Sequence, residues 1–199
     1  MPFPFASNPR RLMHRRAIDV QVFAREDGRF DVEARLIDTK TREVVVGGAP
    51  RAAGDPLHEM VLGLVIDAEL TIHAAGSATL AMPYSSQCEQ HGDAYAQLAG
   101  LNLLHGFRAA AKQRLAGTRG CTHLTELCNV LPTAVIQALA GEVLDTQEGA
   151  DRAAAASDLP PFQLDRCHAL RRDGPVVQAH YPRWYRPATP ADAVPPSAS

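Results

Sequence analysis

From residue 18 the chain alternates. Ile18, Val20 and Val22 interleave with Asp19, Gln21 and Phe23, and beyond Asp27-Gly28 the two-residue period resumes, with Phe30, Val32, Ala34 and Leu36 set against Asp31, Glu33 and Arg35. Successive side chains of a strand point to opposite faces, so this pattern predicts two half-buried strands. The Asp-Gly pair tolerates the positive φ of a tight hairpin turn and predicts that the strands are antiparallel neighbours. Val44-Val45-Val46 reads as a short added strand, and GGAPRAAGDP (47–56) as a loop. MVLGLVID (60–67) and LTIHAAGSATLAM (70–82), divided by Asp67-Ala68-Glu69, predict a second hairpin. Gly63 and Gly76 within it point to bulges or close backbone approach.

From residue 85 the period lengthens to about 3.6. Ser86 and Glu89 have the S-x-x-E spacing of a capping box, which predicts a helix running toward Gly100. Leu103, Leu104, Phe107, Ala111 and Leu115 mark a second helix ending near Gly117. Leu124, Leu127, Cys128, Leu131, Val135 and Leu139 mark a third, with Thr122 as its N-cap and Pro132 kinking or shortening it. Strands first and helices after is the α+β order. The expected architecture is an antiparallel sheet of about four to five strands followed by three helices packed on one face. It occupies residues 16–140, after an N-terminal arm (1–15). Residues 141–161 read as a linker. An appendage at 162–186 is expected to pack on the domain, with Asp173-Gly174 turning into a final strand, PVVQAHYPRW. Residues 187–199, rich in Pro, Ala and Ser, read as a disordered tail.

The 20 Lys and Arg against 22 Asp and Glu give a formal charge of −2. A nucleic-acid binder carries a basic excess, so none is expected as a partner. No apolar run reaches the roughly 18 residues of a membrane span. The first residues lack the apolar core of a secretory signal, so a cytoplasmic chain without a membrane partner is expected. No G-x-S-x-G, P-loop or G-x-G-x-x-G is found, and no nucleotide cofactor is expected.

Chemistry is left to cysteine and histidine. The cysteines are Cys88, Cys121, Cys128 and Cys167, and in a reducing compartment they are expected to be unpaired. Cys128 falls on the apolar stripe of the third helix and reads as core. Cys88 and Cys121 sit at predicted helix starts, where the partial positive charge favours a thiolate. Histidines lie close by in sequence: His91 near Cys88, His123 with Glu126 near Cys121, and His168 beside Cys167, while His58-Glu59 precedes the third main strand. No spacing matches a zinc finger. Neighbours two apart near a helix start ordinarily point to different sides, so a general base for Cys121 is expected from elsewhere than His123.

The segments GDPLHEMVLGLVID, GCTHLTEL and LDRCHAL resemble an uncharacterised bacterial domain family of unknown function, with GCTHL as the most specific motif. Residues 54–140 more distantly resemble the iron–sulfur scaffold fold of the IscU/NifU N-terminal type. That family's ligands come from a loop before a strand and from two helix starts. The resemblance implies ligands at His58, Cys88 and Cys121. The family's first cysteine has no counterpart here, Pro56 being nearest its place, and the histidine before its last cysteine is Gly120. A mixed nitrogen–sulfur pocket suited to zinc or iron(II) is what this implies, with Glu59, His123, Cys167, His168 or water as a fourth ligand. The leading expectation is therefore a metal-binding accessory protein. The alternatives are an enzyme using the same pocket on a small acyl or aromatic substrate, with His123, Glu126 and His168 as acid–base groups, and a non-catalytic module that binds a protein partner or small molecule.

Overall fold

The computed structural model describes residues 9–90, 92–146 and 159–187. They fall into two compact units, Met1–Ala138 and Leu139–Ser199. The first is α+β, as its order of elements predicts. Strands β1 (His14–Ala24), β2 (Phe30–Lys40), β5 (Pro56–Ile66) and β6 (Ile72–Ala81) form an antiparallel sheet in the order β1-β2-β5-β6. Between β2 and β5 the chain forms a small separate hairpin, β3 (Val44–Val46) with β4 (Ala49–Arg51). The segment expected to be all loop thus contains a strand. Its turn is Gly47-Gly48, both at positive φ. Gly47 is obligatory, because a Cβ there would lie 1.8 Å from the Pro83 carbonyl oxygen.

Alternation decides which face of the sheet is buried. Val32, Ala34 and Leu36 of β2 lie beside Leu64, Leu62 and Met60 of β5, and all six are buried. Gly63 and Gly76 face each other across β5 and β6, but no bulge falls on them and a Cβ on Gly63 would meet only ordinary contacts. The register shifts lie instead at Glu59/Met60 and Val65/Ile66.

Helix α1 spans Phe107–Leu115 and α2 spans Thr122–Leu139. The first begins later than its apolar spacing predicts, because Gly106 adopts a left-handed conformation (φ 66°) immediately before it. The α2 stripe of Leu124, Leu127, Cys128, Leu131 and Val135 is buried as predicted, and the helix runs through Pro132. The helix expected from residue 85 is absent. Half of its capping box forms, with the Ser86 N–H donating to Glu89 Oε1 at 3.0 Å, but Ser86 sits at φ 67°, residues 87–90 are in turns, and the next described element is a 3-10 helix at Gly92–Leu98.

The Cys128 thiol makes a testable consequence of this packing. It is 1% exposed, and burial pushes it up from 9.0 to about 12. In the unfolded chain the thiol ionises from pH 9 upward, whereas the folded chain holds it neutral. Its contribution is therefore complete below pH 9 and is lost as pH rises toward 12. At pH 10 the loss is about 1.4 kcal/mol. Denaturant unfolding between pH 8 and 10.5 should show this decline in the wild type and a flatter profile in Cys128→Ala; parallel profiles would refute the assignment.

The second unit corrects another expectation. PVVQAHYPRW is not a strand: Pro175–His180 forms α3, with proline in its first turn. Val177 and Tyr181, four residues apart, bury with Leu164 against Leu170, Trp184 and Tyr185, which is a helical spacing. Tyr181 and Gln163 both donate to the Thr146 carbonyl, at 3.3 and 3.2 Å. The expected linker opens on a turn at Gly141 (φ 85°). Its residues 147–158, part of the expected arm (1–8) and most of the expected tail (188–199) lie outside the described residues, as does His91.

Candidate metal centre

The buried parity of β2 runs Val32, Ala34, Leu36 and then Asp38, which is 2% exposed. Register sets Arg16 of β1 opposite Asp38 and His58 of β5 on its other side, so three polar residues form a row across three strands. A buried carboxylate is costly unless its lone pairs are used. Arg16 uses two of them: Nε donates to Oδ1 and Nη2 to Oδ2, each at 2.8 Å. His14 Nε2 lies 3.1 Å from Oδ1. A carboxylate offers about four acceptor directions, which leaves one on Oδ2. Toward it point His58 Nδ1, at 3.3 Å, and His123 Nε2, at 3.6 Å.

His123 arrives on the first turn of α2 and stacks on His58, with ring centroids 3.8 Å apart and planes 27° from parallel. Burial pushes His58 below its ordinary 6.5, against the pull of Asp38. Burial and the neighbouring His58 charge do the same for His123. Both imidazoles are thus neutral at neutral pH, the form that binds metal. Burial would raise Asp38, but the Arg16 hydrogen bonds and the charges of Arg16, His14 and His123 outweigh it and hold the acid below its ordinary 3.8. One donor atom from each of Asp38, His58 and His123 lies within 4.8 Å of the others. His58 Nδ1 is buried and, despite its nearness to Oδ2, has no hydrogen-bond partner among the described residues.

Cys121 immediately precedes α2, and its carbonyl accepts from the Thr125 N–H at 2.9 Å, so it acts as the N-cap residue. It is not yet in the helical spiral. Its Sγ therefore does meet His123, lying 3.8 Å from Nδ1, contrary to the expected divergence of residues two apart. The sulfur also contacts Met60 Sδ at 3.6 Å. Tyr95 fixes this turn: its hydroxyl accepts from the Cys121 N–H at 3.0 Å and lies 2.8 Å from both the Cys121 carbonyl oxygen and Thr125 Oγ1.

Of the residues singled out from the sequence, His58 and His123 meet directly and Cys121 adjoins them. Cys88 lies half-buried in the turns after β6, its N–H bonded to the Tyr84 carbonyl, and belongs to no three-donor group among the described residues. Glu59 has the opposite parity from His58 and pairs with Arg35. Glu126 is exposed, and its charge acts on Arg16 and His123. Cys167 and His168 belong to the second unit, where Cys167 is exposed. Asp38 was not singled out, although its signal is present: an aspartate in the apolar register of a strand.

Residues 14–137, more than half of the chain, match a family described as protein of unknown function (DUF2889), and the chain belongs to that family. No curated protein and no solved structure matches the chain. No helix among the described residues is long and apolar enough to cross a membrane.

Proposed function

We propose that this protein binds one zinc or iron(II) ion between Asp38 Oδ2, His58 Nδ1 and His123 Nε2. The observation that carries the reading is the convergence of two neutral imidazole nitrogens, one of them buried without a hydrogen bond, on the unused direction of a buried carboxylate. The spacing suits it. Ligands bound at about 2.0–2.2 Å in a tetrahedral arrangement stand roughly 3.3 Å apart, and the two nitrogens lie 3.3 and 3.6 Å from Oδ2. Three protein ligands leave a position open, as in catalytic rather than structural sites. Arg16 and His14 then hold the carboxylate from behind, and Cys121 sits on the free nitrogen of His123.

The scaffold-like ligand set of His58, Cys88 and Cys121 shares only His58 with this centre, so Cys88 separates the two. Protein purified without chelator should carry close to one equivalent of zinc or iron. Zinc at about one hundred times its dissociation constant should stabilise the fold by roughly 2.7 kcal/mol. Cys88→Ser should keep the metal, and His58→Ala with His123→Ala should lose it. A wild type that takes up no metal, or a double alanine variant that keeps it, would overturn the reading.

A second reading has its own observation. Cys121 Sγ, His123 and Asp38 form a chain of 3.8 and 3.6 Å steps, the order nucleophile, base and orienting carboxylate. It calls for thiol chemistry in the metal-free protein. Alkylation distinguishes it: Cys121 reacting faster than exposed Cys167 favours the thiol reading, and slower reaction leaves the metal reading alone.

A further inference from the structure

We infer that the open position of the metal centre takes a small monocarboxylate, clamped on its other side by Arg16; this rests on the metal reading above. The guanidinium has five N–H groups in a fixed plane. Two point at Asp38, one from Nε and one from Nη2. The outer edge, formed by Nη1 and the second hydrogen of Nη2, has no partner among the described residues. That edge is a parallel pair of donors adjoining Oδ2, the oxygen assigned to the metal, and such a pair matches the two oxygens of a carboxylate. The side chains of Arg16 and His14 are 37% and 36% exposed, whereas that of Asp38 is 3% exposed.

Charge selects the same class. The charged side chains acting on this site are Arg16, Asp38 and Glu126, one positive and two negative. A divalent ion turns the balance to one net positive charge. A monoanion neutralises it, whereas a dianion brings excess negative charge toward Glu126. A carboxylate with one oxygen on the metal and its edge on Arg16 satisfies both the open coordination position and the unused donors.

The test uses the full chain loaded with cobalt(II), whose visible bands report its ligands, titrated with sodium acetate and separately with inorganic phosphate. Acetate should shift the bands saturably in the wild type. Arg16→Lys keeps the charge and a hydrogen bond to Asp38 but has no planar fork. With cobalt added to saturation, so that the site is filled whatever the loss of support at Asp38, it should bind acetate at least about tenfold more weakly, the equivalent of 1.4 kcal/mol. Bands that acetate leaves unmoved, or moves equally in Arg16→Lys, overturn the clamp while the metal centre stands. Tighter binding of phosphate than of acetate overturns the choice of a monoanion. Failure of wild type to bind cobalt overturns the metal reading itself and is seen before any acetate is added.

Discussion

Asp38→Asn is expected to lower metal affinity by more than about a hundredfold and to destabilise the metal-free fold by about 1.5–3 kcal/mol. The substitution keeps shape but removes the charge and replaces one acceptor oxygen by a donor. In either orientation that nitrogen faces an Arg16 N–H, Nε at the Oδ1 position or Nη2 at the Oδ2 position, and two donors cannot satisfy one another. The stability cost belongs toward the low end, since the Arg16 side chain is 37% exposed and can recover water. Titration should separate the contributions. His58 and His123 are held below 6.5, so the unfolded chain takes up protons before the folded one does, and stability falls as pH drops below 6.5. Asp38 is held below 3.8; its contribution is complete above that value and is lost as pH falls through the lower folded one. Asp38→Asn should delete the second decline and deepen the first, because the charge that pulls both imidazoles upward is gone. Urea unfolding at pH 7, 5 and 3, with equilibrium dialysis against zinc at pH 7, tests both halves. Unchanged zinc affinity would remove Asp38 from the ligand set.

The strands were legible because their two-residue period was unbroken, and the same period placed Asp38 on the buried face. Asp38 lies inside a strand, away from the loop and helix starts to which the scaffold-like resemblance assigns ligands. A strand aspartate at an apolar parity is the equivalent signal. His58 was legible as chemistry but not as a partner of Asp38, since the pairing depends on a β2–β5 register that skips the intervening hairpin. The expected first helix failed for a local reason: a capping box satisfies helix-end donors but does not supply an apolar face, and Ser86 at positive φ turns the chain away. The expected final strand failed because Val177 and Tyr181 are spaced for a helix, and proline at its start favours one. Position 120 bears on the scaffold-like resemblance. A Cβ on Gly120 would lie 2.8 Å from the Leu115 carbonyl oxygen and 3.1 Å from the Tyr95 hydroxyl. There is no space for a side chain at this position, so the histidine that the resemblance would place there has no room.

That crowding makes Tyr95 the residue on which the geometry of the helix start depends, and its removal should have the largest effect on stability. The ring is fully buried, and its hydroxyl uses its one proton and both acceptor directions on Cys121 and Thr125. Burial pushes the phenol up to about 12, so it remains a neutral donor through the range in which the fold is stable. Tyr95→Phe keeps the packing but leaves the Cys121 N–H without its partner, an expected cost of about 1–3 kcal/mol. Tyr95→Ala adds a cavity, and about 3–5 kcal/mol is expected in total. The two variants also separate packing from positioning. The Tyr95 bonds to Cys121 and Thr125 tie down the first turn of α2, which carries His123. Tyr95→Phe should therefore weaken zinc by roughly tenfold or more while remaining folded, as loss of an outer-shell support does. Unfolding midpoints and zinc affinity measured on the same two proteins settle the point: wild-type zinc affinity in a destabilised Tyr95→Phe would make the tyrosine a packing residue alone, and the position of His123 would then rest on its stack with His58.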